Sequence, residues 1–215
     1  MEFKLDMSMM FAMHDALRRE LGQVGRIAKL RDDDPAGLLR AALGWELFKK
    51  FLLVHHRSED DALWPALRGR VAQQPGRVAL VDALEAEHAR IEPLLTGIDA
   101  AAADPAYGYQ RLGDIVDELV TTLNGHLVHE ERDGLALIDA SLTEAQWQHF
   151  AQVHTERIRG DTATYLPWLL NGASQQTLDA VRGKFPPPLL KAFREEWGPK
   201  YAALDVWPDA GESAA

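Results

Sequence analysis

The chain has 215 residues, 47% of them hydrophobic, enough for one large domain, or one domain plus an extension, built on a buried core. Its formal net charge of -10, with no Lys/Arg cluster, argues against nucleic acid or an anionic membrane surface as partner, and no apolar stretch approaches the roughly 20 residues of a membrane span. The absence of cysteine excludes disulfides, iron–sulfur ligation and thiolate zinc sites, so any metal must be held by imidazole and carboxylate.

The first apolar run, Met7 to Met13, is too short for a signal h-region and follows Glu2, Lys4 and Asp6; a cytoplasmic location follows by default. A first helix is expected from about Ser8 to Leu30, with Met10, His14, Leu17, Leu21 and Val24 on its core face. Asp32, Asp33 and Asp34 before Pro35 read as a loop and helix start. The second helix runs from there to about Val71, with Phe48, Leu52, His55, Glu59 and Leu63 on one stripe and a kink or break expected at Pro65. After a turn at Gln73 to Gly76, a third helix from about Val78 to Ala103 carries Val81, Leu84, His88, Ile91 and Leu95, and contains Pro93. The loop Asp104 to Gly108 leads to a fourth, about Tyr109 to Asp139, with Ile115, Leu119, Leu123, His126, Glu130 and Leu137 inward.

No Val/Ile/Thr alternation marks a strand, so the fold class is all-α: an up-down-up-down four-helix bundle over residues 1–140, then an extension over 141–215. The extension opens with a capping signal at Thr143 to Gln146 and a helix bearing Trp147, Phe150 and Val153. TYLPWLLNG at 164–172 and FPPPLLKAFREEWGPKYAALDVW at 185–207 mix aromatic and apolar residues with helix-breaking prolines, the composition of short helices folded onto the bundle, covering one end of a pocket or building a dimer interface. His149 and His154 have no carboxylate on the same face and read as structural, and a polar tail follows Pro208.

One pattern carries chemistry. His-x-x-x-Glu occurs twice, at His55/Glu59 and His126/Glu130, and each copy follows a lone core-face histidine, His14 and then His88. Residues four apart stack on one helix face, so each pair presents an imidazole and a carboxylate to the same centre. Six such ligands from four helices suit two first-row metal ions, iron or manganese before zinc, with the carboxylates able to bridge. All six continue a core stripe, and short antiparallel connections bring them to heights that agree within about one turn at ~1.5 Å per residue. A single buried histidine is more often a hydrogen-bonded core residue, but a glutamate buried on an apolar stripe is costly unless it is paired or coordinates a metal.

Neighbouring residues offer other registers. His56/Asp60 lies on a stripe through Lys49, which points it toward solvent or a subunit seam, and His129/Asp133 shares a face with Glu118, Thr122 and Gly125. Glu131 competes with Glu130 as the bridge, and Glu92, four residues after His88, is an extra carboxylate candidate beside Pro93.

His14, HHRSEDDALWPAL at 55–67, EAEHARIEPLL at 85–95 and HLVHEERDGLAL at 126–137 together resemble the hemerythrin-like, HHE cation-binding family over about residues 8–140. The resemblance implies a bundle around a non-haem di-iron centre, with His14, His55, His88 and His126 as imidazole ligands and Glu59 and Glu130 as bridging carboxylates. Oxygen-carrying hemerythrins are less similar, with HxxxH on the third helix and HxxxxD on the fourth, where this chain has Glu92 and the four-residue spacing to Glu130. The set is closer to branches linked to nitric oxide, peroxide and iron-cluster repair.

The expected function is therefore a monomeric or homodimeric di-iron protein that binds or reacts with peroxide, oxygen or nitric oxide, peroxide disproportionation being the most concrete version, with His129 or Tyr165 as a proton donor. Non-catalytic binding or sensing of oxygen, nitric oxide, iron or redox state is the alternative, and a protein whose buried histidines and glutamates merely hydrogen-bond is the third. Manganese and zinc accept the same donors.

Overall fold

The computed structural model describes residues 3–29, 36–37, 39, 42–104 and 108–207; the loop around Asp32–Pro35, part of the loop before Gly108 and the tail after Pro208 lie outside them. The described residues form no strand, and no helix among them is long and apolar enough to cross a membrane.

Four antiparallel helical stretches make the bundle. Helix α1 (Ser8–Ala28) buries Met10, Met13, His14, Leu17, Leu21 and Val24 along one stripe. Helix α2 (Leu43–Ser58) buries Phe48, Phe51, Leu52, His55 and His56. It passes through a π-helical turn at Glu59–Leu63 into α3 (Trp64–Val71). The third stretch is α4 (Pro75–Ala103). The fourth is α5 (Gly108–His129), which passes through a second π turn at Glu130–Gly134 into α6 (Leu135–Ser141). Helix α1 packs on α2 and α5, and α4 on α3 and α5, closing the square.

The sequence suggested a kink late in the second helix at Pro65. The distortion instead precedes the proline: Trp64 N–H donates to the Glu59 carbonyl, five residues back, and Pro65 falls in the first turn of α3, where a missing N–H costs least. Pro93 is accommodated inside α4 without ending it.

Two apolar clusters fill the bundle, one around Leu17, Phe48, Ile91 and Leu123, the other around Leu63, Trp64, Leu84 and Leu135. The buried polar residues His14, His55, Glu59, His88, His126 and Glu130 lie at sequence positions between these two cores, and each has relative exposure of 6% or less.

The extension covers the bundle. Helix α7 (Glu144–Ile158) starts at the expected capping box, with Gln146 N–H donating to Thr143 Oγ1 at 3.3 Å and Thr143 N–H to Gln146 Oε1 at 3.1 Å. Its Trp147 and Phe150 join the second core, and Arg157 reaches back to Asp61 in the first π turn. Helix α8 (Thr162–Leu170) buries every side chain from Tyr165 to Leu170. The chain then turns at Gly172, whose φ of 69° is in the left-handed region that glycine tolerates. Helices α9 (Gln175–Arg182), α10 (Pro187–Ala192) and α11 (Gly198–Ala202) lead to Trp207, whose ring lies against Gly44 and whose Nε1–H donates to Glu20 Oε2 at 2.7 Å.

Candidate metal centre

The six side chains expected to act as ligands converge. His14, from α1, and His55, from α2, bring their Nε2 atoms to 3.2 Å, and His88, from α4, and His126, from α5, bring theirs to 3.1 Å. Two imidazole nitrogens bound to one metal at about 2.1 Å, subtending about 90–110°, stand about 3.0–3.4 Å apart. Both pairs have the spacing of ligands sharing an ion. The carboxylates join the pairs. Glu59 Oε1 is 3.4 Å from His55 Nε2 while its Oε2 is 3.4 Å from His88 Nε2. Glu130 Oε2 is 3.2 Å from His14 Nε2 and 3.8 Å from His126 Nε2.

Whether this set fits a cation is decided by what its buried atoms lack. Both oxygens of Glu59 and both of Glu130 are buried without a hydrogen-bond partner, although imidazole nitrogens stand within ion-pair distance. Buried carboxylates left so are rare unless a metal completes them. The charges are arranged accordingly. Burial, reinforced by Glu130 and Asp60, pushes the Glu59 carboxyl well above the usual range. Burial works against charge on Glu130 as well, but His14 and the other imidazoles hold it below its ordinary value. At His14 burial is outweighed by Glu130 and Glu131, and the pKa rises to about 9; at His55 burial and the neighbouring imidazoles lower it. The cluster thus sets the Glu130 carboxylate against a charged His14 and disfavours charge on Glu59, so a cation would displace protons to take up both carboxylates.

The outward nitrogens are held by carboxylates. His14 Nδ1 lies 2.9 Å from Glu131 Oε1, His88 Nδ1 2.8 Å from Asp60 Oδ1, and His126 Nδ1 3.0 Å from Glu87 Oε2. Each such bond favours a proton on Nδ1 and would leave the Nε2 lone pair as the one offered to a metal, the usual second layer of a metal site. Glu131 is itself fixed by both Nη atoms of Arg18 at 2.8 Å, so it braces His14 from outside the group formed by His14, His55, Glu59 and Glu130. The same Glu87 takes His129 Nδ1 at 2.8 Å, so His129 braces the carboxylate behind His126. Glu92 points away, 58% exposed and 3.1 Å from Arg57, and is no part of the cluster.

His56 corrects the sequence reading. It is 4% exposed and turned inward, and its ring nitrogen comes within 4.8 Å of donor atoms of both His88 and His126. Lys49 misdirected the stripe because it is itself largely covered: its ammonium lies over the Trp45 ring and reaches Asp99 and Glu46 at 2.8 Å. The fully buried Leu52, four residues before His56, is the signal that could have located it. Glu87 as an orienting group had no signal, since it lies one residue before His88 and bonds across to another helix.

A cavity of about 330 Å³ runs from the surface to His55. Met9, Met10 and Met13 of α1 wall one side and Phe150, His154 and Tyr165 of the extension the other. His154, placed edge-on to His55 with ring centroids 6.2 Å apart, is kept neutral by burial and the nearby Arg157, its pKa lowered to about 4. Among the described residues the Tyr165 hydroxyl has only the Met13 sulfur, at 3.7 Å, as partner, and burial keeps it protonated.

A family model described as the hemerythrin HHE cation binding domain matches residues 6–138, which carry all the side chains of the cluster and stop before α7. No curated protein and no solved structure matches the chain.

Proposed function

Because the chain belongs to the hemerythrin HHE cation-binding family, we propose that it is a non-haem di-iron protein, with His14 and His55 on one iron, His88 and His126 on the other, and Glu59 and Glu130 bridging, that binds or reacts with a small oxidant. The observation carrying this reading is the placement of Glu59, buried and without a hydrogen bond, with one oxygen toward the His14/His55 pair and the other toward His88/His126. Imidazole and carboxylate without thiolate suit iron and manganese before the softer-ligand metals. When bound, the two irons supply a reversible electron change and an open coordination position for oxygen, peroxide or nitric oxide.

The chain's own residues set the conditions for that chemistry. Asp60, Glu87 and Glu131 orient three of the imidazoles, and the two apolar cores flank the layer they occupy. The Met-lined cavity admits uncharged molecules such as peroxide, oxygen or nitric oxide to the His55 side. Tyr165, protonated and poorly partnered in that cavity, is placed to give a hydrogen bond or a proton to an incoming ligand. Disproportionation of peroxide to oxygen and water is the reaction this reading puts first.

The test is metal analysis of untagged protein, followed by absorption spectra before and after peroxide. About two irons per chain and oxygen evolution that vanishes in Glu59→Ala and His126→Ala are the expected results. Fewer than about one iron per chain refutes the di-iron reading, and a reversible spectral change without turnover makes the protein a carrier or sensor.

A further inference from the structure

Adjacent helical residues project about 100° apart, so a helix lodged between two neighbours can serve both with consecutive side chains. His55 and His56 do this on α2. His55 turns toward His14 on α1, whereas His56 stacks on His88 with ring centroids 3.9 Å apart and 8° between planes, and meets His126 edge-on at 5.2 Å. We propose that His56 is a fifth imidazole ligand, so that the two metal positions are unequal: His56, His88 and His126 serve one, and His14 and His55 the other.

Two independent observations carry this. The donor atoms of His56, His88 and His126 all lie within 4.8 Å of one another, a group separate from that of His14, His55, Glu59 and Glu130. The buried Nε2 of His56 has no hydrogen-bond partner, an arrangement that costs stability unless something accepts its lone pair or its proton. His56 Nε2 would break no hydrogen bond in turning toward an ion held by His88 and His126. With bridging carboxylates common to both, the His14/His55 position carries one protein ligand fewer. A cavity ends at His55 on that side, while other pockets reach His56 and His88 and, separately, His126.

The inference rests on the di-iron reading and is tested on the full-length chain loaded anaerobically with ⁵⁷Fe(II), as wild type, His56→Phe and His56→Gln. Phenylalanine keeps a ring on His88 and removes the nitrogens; glutamine keeps polarity in a smaller volume. Wild type is expected to hold two irons with two unequal Mössbauer doublets. Both variants are expected to retain one iron normally and to release the other to a chelator more readily by over ~10–100-fold, the effect usual for losing even an outer-layer partner. Metal-free His56→Phe is expected to melt within a few degrees of wild type, since its ring contacts persist. Variants that keep two irons with wild-type doublets and wild-type release overturn the fifth ligand while leaving the di-iron centre standing. A wild type that binds no iron pair overturns both, and a loss of metal-free stability that accounts for the faster release in both variants makes His56 structural.

Discussion

Replacing Glu59 with methionine should move stability in opposite directions with and without metal. In the metal-free protein the carboxyl is fully buried, both its oxygens lack partners, and burial beside Glu130 disfavours its charge. A buried polar group left unsatisfied costs about 1–3 kcal/mol, and methionine has nearly the same length and no polar atom to satisfy. Setting the gain at about 2 kcal/mol, and taking about 2–4 °C per kcal/mol for a chain of this size, metal-free Glu59→Met should melt about 4–8 °C above wild type. Metal reverses the order. At free iron ~100-fold above its dissociation constant a single ion stabilises the native state by about 2.7 kcal/mol, a gain wild type receives and the variant, lacking a bridge to both imidazole pairs, largely loses. Calorimetric scans of both proteins with chelator and with anaerobic iron(II) measure the two shifts. A metal-free variant that melts below wild type would mean Glu59 is a structural hydrogen-bonding residue. An iron-induced shift preserved in full would mean it holds no metal.

Other perturbations separate support from ligation. Asp60→Asn and Glu87→Gln, which weaken the bonds behind His88 and His126, should leave two irons per chain bound but speed their loss to a chelator about 10–100-fold. Gly134→Val places a Cβ 3.1 Å from both Glu130 Cγ and Leu84 Cδ1, and should cost about 1–3 kcal/mol in a denaturant melt while lowering the iron content, since it displaces Glu130, the proposed bridge. Glu20→Gln tests the seam with the extension. Burial raises the Glu20 pKa, although Trp207 and Arg19 oppose the rise, so its ionisation destabilises the fold: the associated stability is complete below the unfolded carboxyl value of about 4.5 and is lost as pH climbs through the folded one. Wild type should therefore fall behind the glutamine variant in urea melts as pH rises, and a gap that stays constant with pH would refute this.

Much of the centre is legible in one dimension because helix periodicity is a local rule. Glu59 and Glu130 sit four residues after a histidine on stripes of Leu and Phe, and a carboxylate there demands a partner whatever surrounds it. The capping box at Thr143 is likewise local: four residues supply both donors and both acceptors. The two π turns of the bundle were not legible, although each begins at the glutamate of a His-x-x-x-Glu pair. Pro65 follows the first, and at the second a Cβ on Gly134 would stand 3.1 Å from Leu84 Cδ1 of another helix, a closeness no local spacing records.

The sequence by itself determined the helices, the six inward donors and their common level, because each follows from spacing along one chain segment. Only the tertiary structure decided the rest. It turned Glu131 to Arg18 and His14, sent Glu92 out to Arg57, set Glu87 behind His126, and buried His56 against His88. It also made α7 and α8 the far wall of a cavity that ends at His55. The physical reason is that a residue's face on its own helix is fixed by 3.6-residue periodicity, whereas the atom it meets there depends on how the neighbouring helices are rotated and packed, which no spacing within one helix records.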